Sequence, residues 1–187
     1  MLSVWSFVIV IFGLLVLRSV QSETYIVWDT LFHDVDSTGN DNSKWIYSNA
    51  NTILSALDDG KLIDFSSQSS GNTICGCNGT SGTTWDWNNL QKFNHPFAVE
   101  FDIVSVSNNA YIMFYVGNVA IKTFAQIGAS ANSNVKIFVE NNKVYSQVDT
   151  GAKTELASIT SASTYSFAFR VNAGHYFKFA NFKIYPI

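Results

Sequence analysis

Residues 97–106 read FAVEFDIVSV, and apolar side chains occupy every second position in the first part of this stretch. Phe97, Val99 and Phe101 share one parity, whereas Glu100 and Asp102 share the other. Successive side chains of a β-strand point to opposite faces, so this spacing places the aromatic set on one face and both carboxylates on the other. The stretch therefore predicts a β-strand with one face in a hydrophobic core.

The same two-residue period recurs downstream of this strand. Residues 111–116 (YIMFYV) are apolar on both faces, as in a strand covered on both sides, and residues 165–171 alternate again. Residues 135–148 (VKIFVENNKVYSQV) are two alternating runs joined at Asn141-Asn142, which predicts a hairpin because asparagine tolerates positive φ. Helical periodicity is not sustained anywhere in these runs. The sequence predicts an all-β fold, a two-sheet antiparallel β-sandwich.

The last run, residues 175–187 (HYFKFANFKIYPI), changes phase midway. Phe177 and Phe179 lie on one parity, and Phe182 and Ile184 lie on the other. An extra residue in a strand reverses the parity of everything that follows it, so a one-residue bulge near Ala180-Asn181 would return all four side chains to the core. We therefore expect a bulged final strand.

These runs resemble the LamG-like jelly rolls of the concanavalin A-like lectin/glucanase superfamily. The resemblance is carried by the runs DGKLIDFSS, PFAVEFDIVSVSNNAYIMFYVGN, VKIFVENNKVYSQV and STYSFAFRVNAGHYFKFANFKIYPI, and by the opening run WDTLFHDVDSTGNDNSKW. It is one of pattern and spacing without a catalytic signature. It implies two curved antiparallel sheets, an extracellular setting, and glycan or protein binding on the concave face or a rim.

Composition excludes several classes of protein. Only 13% of the residues are charged and 47% are hydrophobic, so the chain can pack a core and is not expected to be disordered. Eleven basic and fourteen acidic residues give a net charge of -3 without a basic stripe, which argues against nucleic acid as a partner. The length of 187 residues suits one domain.

The first residues are typical of a secretory leader. Residues 2–17 form an uncharged apolar run that ends at Arg18, shorter than the roughly 20 residues of a spanning helix. Small residues in Val20-Gln21-Ser22 predict cleavage before Glu23, although a retained anchor is the alternative because no basic residue precedes the run. We expect a signal helix at 1–22 and a single domain at 23–187. No second apolar run follows, so the cleaved protein is predicted to be secreted, extracellular and without a membrane span.

Tryptophans in a polar segment are the first candidate site. Trp85 and Trp87 stand two residues apart within GTSGTTWDWNNLQKFN, with Asp86 and Asn88 beside them. Sugars stack their C–H faces on aromatic rings and hydrogen-bond to amides and carboxylates, so these four residues predict a carbohydrate-binding site on one strand face. Burial in the core is the alternative for both indoles, and it is the assignment made for Trp28 and Trp45.

Glu100 and Asp102 are the candidates for catalysis. Side chains two residues apart on a strand begin about 6.5–7 Å apart, near the separation that retaining glycosidases use. The laminarinase-like glycosidases of the superfamily carry a third carboxylate on this strand, but Val104 and Ser105 stand in its place here. A polar pair on a partly solvated face is therefore expected. The chain is predicted not to be an enzyme, with a glycoside hydrolase relic as a minor alternative.

An acidic loop is the candidate metal site. Asp34, Asp36, Asn40 and Asp41 supply the hard oxygen atoms that Ca2+ prefers. The twelfth position of an EF-hand loop counted from Asp34 is Trp45 rather than glutamate, which excludes an EF-hand. A solvated turn is the alternative to a calcium site, and no cofactor is required.

Cys75 and Cys77 stand on either side of Gly76, and Asn78-Gly79-Thr80 follows as the sequon for N-glycosylation at Asn78. In an exported chain two thiols tend to oxidise, so a local disulfide or an interchain contact is favoured over a redox or zinc site. A bond across one residue would require Gly76 to bend the chain, because an extended strand holds the sulfur atoms awkwardly.

Together these features predict a secreted, non-catalytic, lectin-like module that recognises glycans or glycoproteins at a cell or particle surface. The alternative is a structural or adhesive surface protein that binds protein partners or associates with itself, because amide and hydroxyl side chains replace charge over much of the chain.

Overall fold

The computed structural model describes residues 26–28, 45–48, 52–57, 62–67, 71–77, 79 and 85–187, and strands dominate these ranges. The strands are β1 (Ile26–Trp28), β2 (Trp45–Tyr47), β3 (Thr52–Leu57), β4 (Leu62–Ser67), β5 (Thr73–Cys77), β6 (Phe93–Asn94), β7 (Phe97–Val106), β8 (Ile112–Val116), β9 (Val119–Thr123), β10 (Asn134–Glu140), β11 (Lys143–Val148), β12 (Thr154–Ser158), β13 (Thr164–Tyr165), β14 (Phe167–Val171) and β15 (Tyr176–Pro186). Short 3-10 turns cover Trp87–Asn89, Asn109–Tyr111 and Ala125–Ile127.

The described strands pair into two main sheets. The larger sheet has the order β12-β11-β10-β7-β15-β4-β3, and β1 also pairs with β15. The smaller sheet has the order β2-β5-β14-β8-β9, while β6 and β13 form a separate pair. Every pairing is antiparallel. The predicted antiparallel β-sandwich is confirmed, and the predicted signal helix lies outside the described residues.

Alternation along the strands builds the core between the two sheets. Phe101 of β7 is fully buried and meets Phe169 of β14 edge to face, with ring centroids 5.1 Å apart. Aromatic pairs in this geometry add stabilisation to the large apolar area that each ring buries. Trp45 is 1% exposed and packs against Phe179 and Phe182, so its assignment to the core is confirmed. The structure does not describe the side chain of Trp28, so its assignment to the core stays a prediction.

Two local features follow the sequence closely. In the hairpin of β10 and β11, Glu140 pairs with Lys143 across Asn141-Asn142, whose φ values are 51° and 58°. These positive angles are those of a type I′ turn, which matches the twist of the strands.

The predicted bulge of the final strand is also confirmed. The register of β15 against β7 shifts between Ala180 and Lys183, where Asn181 has a φ of 53°. The side chains that change parity all reach the core, and they are Phe177, Phe179, Phe182 and Ile184.

The outer face of the smaller sheet is unusually apolar. Tyr115 of β8 and Ala168 of β14 are buried there together with Ile46 and Leu90, in a cluster separate from the main core. A sheet face that pointed straight into water would leave such side chains exposed, so something must cover them. The covering element is the segment that carries the two tryptophans.

Candidate functional site

The segment 85–91 is fixed to strand β5 by backbone hydrogen bonds. The amide of Gly79 donates to the carbonyl of Asn89 at 2.8 Å, and the amide of Gln91 donates to the carbonyl of Cys77 at 2.8 Å. Gly79 makes this approach possible, because a Cβ atom there would lie 2.7 Å from the backbone nitrogen of Gln91. Main-chain bonds to a sheet hold a segment more firmly than side-chain contacts alone. These two bonds therefore tie Asn89 and Gln91, which follow the tryptophans, to the chain at and just after β5.

Trp87 begins a 3-10 turn, and Trp85 precedes that turn outside any strand. Asp86 is extended and its Oδ1 accepts from the amide of Asn88 at 2.7 Å, capping the turn Trp87–Asn89. Lys92 also donates from Nζ to the carbonyl of Trp87 at 2.9 Å. The predicted placement of Trp85 and Trp87 on one strand face is wrong, because aspartate favours capping a turn over continuing an extended chain. The turn nevertheless brings both rings together.

Three aromatic rings form a continuous row over the smaller sheet. The centroids of Trp85 and Trp87 lie 5.4 Å apart at 70°, and those of Trp87 and Tyr115 lie 5.4 Å apart at 44°. Both indoles are half-buried, with their inner edges against the apolar cluster, whereas Tyr115 is 8% exposed. We call Trp85, Trp87 and Tyr115 the aromatic row. The three rings are inclined to one another and do not form one flat plane.

The polar residues predicted beside the indoles also lie at the surface. Asp86 and Asn88 are both exposed, and they alternate with the two half-buried rings. The segment thus combines apolar ring surface with amide and carboxylate groups within a few residues. Tyr115 was missed from the sequence because residues 111–116 are apolar on both faces. The signal that could have found it is its parity, opposite to that of Phe114 in the core.

Glu100 and Asp102 share the outer face of the larger sheet, as their spacing predicted. Glu100 Oε2 lies 3.2 Å from Nζ of Lys183 and accepts from the hydroxyl of Tyr185 at 3.1 Å. Lys136 approaches Glu100 Oε1 at 3.7 Å. Partial burial, reinforced by the charge of Glu100 and by this hydrogen bond, raises the pKa of Tyr185 to about 12. Glu100 is therefore already engaged by cations and a phenol.

Asp102 is held by two side-chain amides. Asn134 donates to Oδ1 at 2.7 Å and Asn181 donates to Oδ2 at 2.6 Å. Both oxygen atoms of the carboxylate are thus occupied by neighbours from β10 and β15. Such contacts suit a polar pair that ties three strands together on a partly solvated face.

The structure does not form the predicted disulfide. Cys75 and Cys77 are free thiols, each 1% exposed, and both face the core from β5. Side chains two residues apart on an extended strand begin about 6.5–7 Å apart, whereas a disulfide needs Cβ atoms about 3.8 Å apart. Gly76 does not bend the strand, because it pairs in register with Ile46 and Ala168. Burial raises the pKa of both thiols.

Several predicted sites lie outside the described residues. They are the calcium ligands Asp34, Asp36, Asn40 and Asp41 and the glycosylation site Asn78. Within the described ranges no group of three or more histidine, cysteine or acidic side chains is placed to hold a metal ion. A search of the same ranges found no helix with the length and apolarity needed to cross a bilayer.

Comparisons with known proteins give matches in structure alone. No family model and no curated protein matches the chain. A functionally unknown protein from Saccharomyces cerevisiae aligns with a TM-score of 0.49 at 13% identity, over 79% of this chain and all 100% of that one. The carbohydrate binding module CBM66 from Bacillus subtilis aligns with a TM-score of 0.46 at 11% identity, over 74% and 94%.

A third solved structure is the exoplasmic/lumenal domain of VIP36 in a form bound to Ca2+ and Man3GlcNAc. It aligns with a TM-score of 0.47 at 8% identity, over 76% of this chain and 86% of that one. Likenesses at these scores carry no inference about the ligand of this chain. The resemblance to LamG-like jelly rolls stays a prediction.

Proposed function

We propose that this protein binds carbohydrate, without cleaving it, through the aromatic row and the exposed side chains of Asp86 and Asn88. One observation carries the proposal. Trp85 and Trp87 are neither sealed in the core nor loose on the surface, because backbone hydrogen bonds to Cys77 and Gly79 hold the end of their segment while the two side chains stay half-buried. A binding site that is ordered before the ligand arrives loses less entropy on binding.

The inclination of the rings favours a short oligosaccharide over a long flat chain. Trp85 and Trp87 meet at 70°, so one pyranose stacked on the first indole would place its edge against the second. Ring hydroxyls would then reach the carboxylate of Asp86 and the amide of Asn88. Sites of this kind use apolar surface for affinity and a few polar groups for orientation.

Binding to a glycan array, followed by calorimetry on the best ligand, tests the proposal. Trp87→Ala is expected to weaken binding by about tenfold or more, because a central aromatic residue accounts for a large share of the binding energy. Trp87→Phe should lose less because it keeps a ring. Tyr176→Ala is the matched control, since Tyr176 is 39% exposed but lies on the larger sheet.

Two results would overturn the proposal. One is wild-type protein that binds no glycan, and the other is Trp87→Ala protein that binds as the wild type does. Absence of glycan binding together with concentration-dependent self-association would instead support a structural or adhesive surface protein. Secretion, through cleavage before Glu23, belongs to the same proposal and is checked by the N-terminal sequence of the exported protein.

The proposal treats Glu100 and Asp102 as structural and the protein as non-catalytic. Their contacts with Lys183, Tyr185 and Asn181 support this view, because a catalytic acid and nucleophile must be able to reach a substrate. If the wild type hydrolyses a β-glucan and Glu100→Gln protein does not, the protein is a glycoside hydrolase and the proposal is wrong on this point.

A further inference from the structure

Arg170 is the one arginine of the chain outside the apolar leader, which ends at Arg18. It lies on β14, two residues after Ala168, on the outer face of the smaller sheet. Its Nη1 donates to the hydroxyl of Tyr115 at 3.5 Å and approaches Sδ of Met113 at 3.9 Å. Both are long contacts to neutral acceptors. The guanidinium therefore touches the aromatic row directly, through Tyr115.

Among the described residues no carboxylate forms an ion pair with Arg170. The ion pairs among the described residues all use lysine as the cation. Nε of Arg170 is buried and has no hydrogen-bond partner among the described residues. A guanidinium offers five donors, and a buried donor left unpaired costs free energy. Within the part of the chain that the structure describes, Arg170 is thus a cation without a partner anion.

A pocket beside Arg170 provides room for that anion. The pocket is small, with a volume of about 60 Å³, and its lining comprises Ala110, Tyr111, Met113, Thr123, Arg170 and Asn172. Tyr111 is 44% exposed and stacks on His175, with ring centroids 4.4 Å apart at 14°. The pocket thus adds a further ring and the polar side chains of Thr123 and Asn172. It continues the aromatic row, because Tyr115 contacts Trp87 on one side and Arg170 on the other.

We propose that Arg170 makes this surface selective for sugars that carry a carboxylate, as uronic acids do. The inference rests on the proposed carbohydrate-binding function and specifies its ligand class. A planar guanidinium binds a carboxylate with two parallel hydrogen bonds, which a neutral hydroxymethyl group cannot accept with equal strength. The net charge of -3 gives no general attraction for polyanions, so the selectivity depends on Arg170 itself.

The test compares an oligomer of hexuronic acid with the same oligomer after reduction of its carboxyl groups to alcohols. Calorimetry on the wild type is expected to give about tenfold tighter binding of the acid, the difference that one charge-assisted pair supplies. Arg170→Gln should abolish this preference and change binding of the reduced oligomer by less than about twofold. Arg170→Lys should keep part of the preference, because it retains the charge but not the planar fork.

Lys136→Gln is the matched control. It removes the same charge from the outer face of the larger sheet, where Lys136 contacts Glu100, and it should leave the preference unchanged. Thermal unfolding of each variant shows whether it is folded. If Arg170→Gln does not fold, the test uses Arg170→Lys, in which the preference for the acid should be smaller than in the wild type, and an undiminished preference would overturn the inference.

The outcomes separate this inference from the function on which it rests. Equal binding of acid and reduced oligomer by the wild type overturns the carboxylate selectivity and leaves carbohydrate binding standing. Persistence of the preference in Arg170→Gln protein also overturns it. Failure to bind either oligomer or any glycan of an array overturns both proposals. An oligomer of neutral sugars that carries sulfate esters is a further probe. If it binds as tightly as the acid, the surface selects anions in general, and the proposed selectivity for carboxylates is overturned.

Discussion

Tyr185 links the stability of the protein to alkaline pH. Partial burial, and then the negative charge of Glu100, raises the pKa of Tyr185 from 10.0 to about 12 in the folded chain. The folded state thus holds the phenolic proton more tightly than the unfolded state does. The stabilisation is complete below about pH 10 and is lost as the pH rises through the folded pKa.

We therefore expect the difference in unfolding free energy between the wild type and Tyr185→Phe to be constant below pH 10 and to shrink towards pH 12. Urea unfolding at several pH values measures this difference. A difference that grows with pH would contradict the contact with Glu100. Tyr176→Phe, at an exposed position of the same strand, is the control.

The thiols of Cys75 and Cys77 should be unreactive in the native protein. Both are buried in the core, and desolvation raises the pKa of each thiol, so little thiolate forms at neutral pH. Iodoacetamide at pH 8 is expected to add two groups to protein unfolded in denaturant and none to the folded protein. Mass spectrometry counts the adducts. Rapid labelling of folded protein, or a mass two daltons low from a disulfide, would contradict the structure.

For single residues, the sequence predicts the face of a strand on which a side chain lies better than it predicts the residues that the side chain contacts. Spacing alone places Glu100 and Asp102 on one face. Their contacts with Tyr185 and Asn181 could not be inferred, because these partners lie 85 and 79 residues further along the chain. Likewise, the sequence predicts that Trp85 and Trp87 lie close together, because they are two residues apart. It does not predict the backbone hydrogen bonds that join their segment to Cys77 and Gly79.

The bulge of β15 depends on one asparagine. Asn181 has a φ of 53° and donates from its side chain to Asp102 at 2.6 Å. Asn181→Ala places a residue that disfavours the left-handed region there and removes the hydrogen bond, so we expect a loss of about 2 kcal/mol in unfolding free energy. Asn181→Gly keeps the backbone conformation and should lose about 1 kcal/mol. Denaturant unfolding measures both, and equal losses would show that conformation contributes nothing.

At the scale of elements, periodicity predicts strands, the hairpin and the bulge, because each leaves its mark within a few neighbouring residues. The turn Trp87–Asn89 was missed because an alternating apolar pattern can arise either from a strand or from a capped turn lying on a sheet. The order of strands was also beyond the sequence. Strand β7 lies between β10 and β15, and alternation names the buried face of a strand but not its neighbours.

The calcium prediction concerns the stability of the whole molecule. Its candidate ligands, Asp34, Asp36, Asn40 and Asp41, precede most strands of the sandwich in the sequence. An ion that binds only the folded chain raises the midpoint of thermal unfolding. We expect a chelator to lower the midpoint and added Ca2+ to restore it, whereas Mg2+ should not. A midpoint that is unchanged by the chelator would show that no Ca2+ ion stabilises the folded protein.

The two aromatic clusters should differ in what they contribute to the molecule. Phe169 is fully buried and its ring meets those of Phe101 and Phe177 between the sheets, so Phe169→Ala is expected to cost about 3–5 kcal/mol. Trp87 is a larger side chain but half-buried on the outer face, so Trp87→Ala should cost only about 1–2 kcal/mol. Trp87→Ala removes the larger side chain and should nevertheless reduce the unfolding free energy less than Phe169→Ala does.

Denaturant unfolding followed by circular dichroism measures both losses, and glycan binding on the same samples gives the complementary readout. Trp87→Ala should weaken binding by about tenfold or more and leave a single cooperative unfolding transition, because the core that joins the sheets is intact. A loss for Trp87→Ala that equals the loss for Phe169→Ala would mean that the indole belongs to the core. The aromatic row would then be a structural cover for the smaller sheet, and its rings would have no free surface for a sugar.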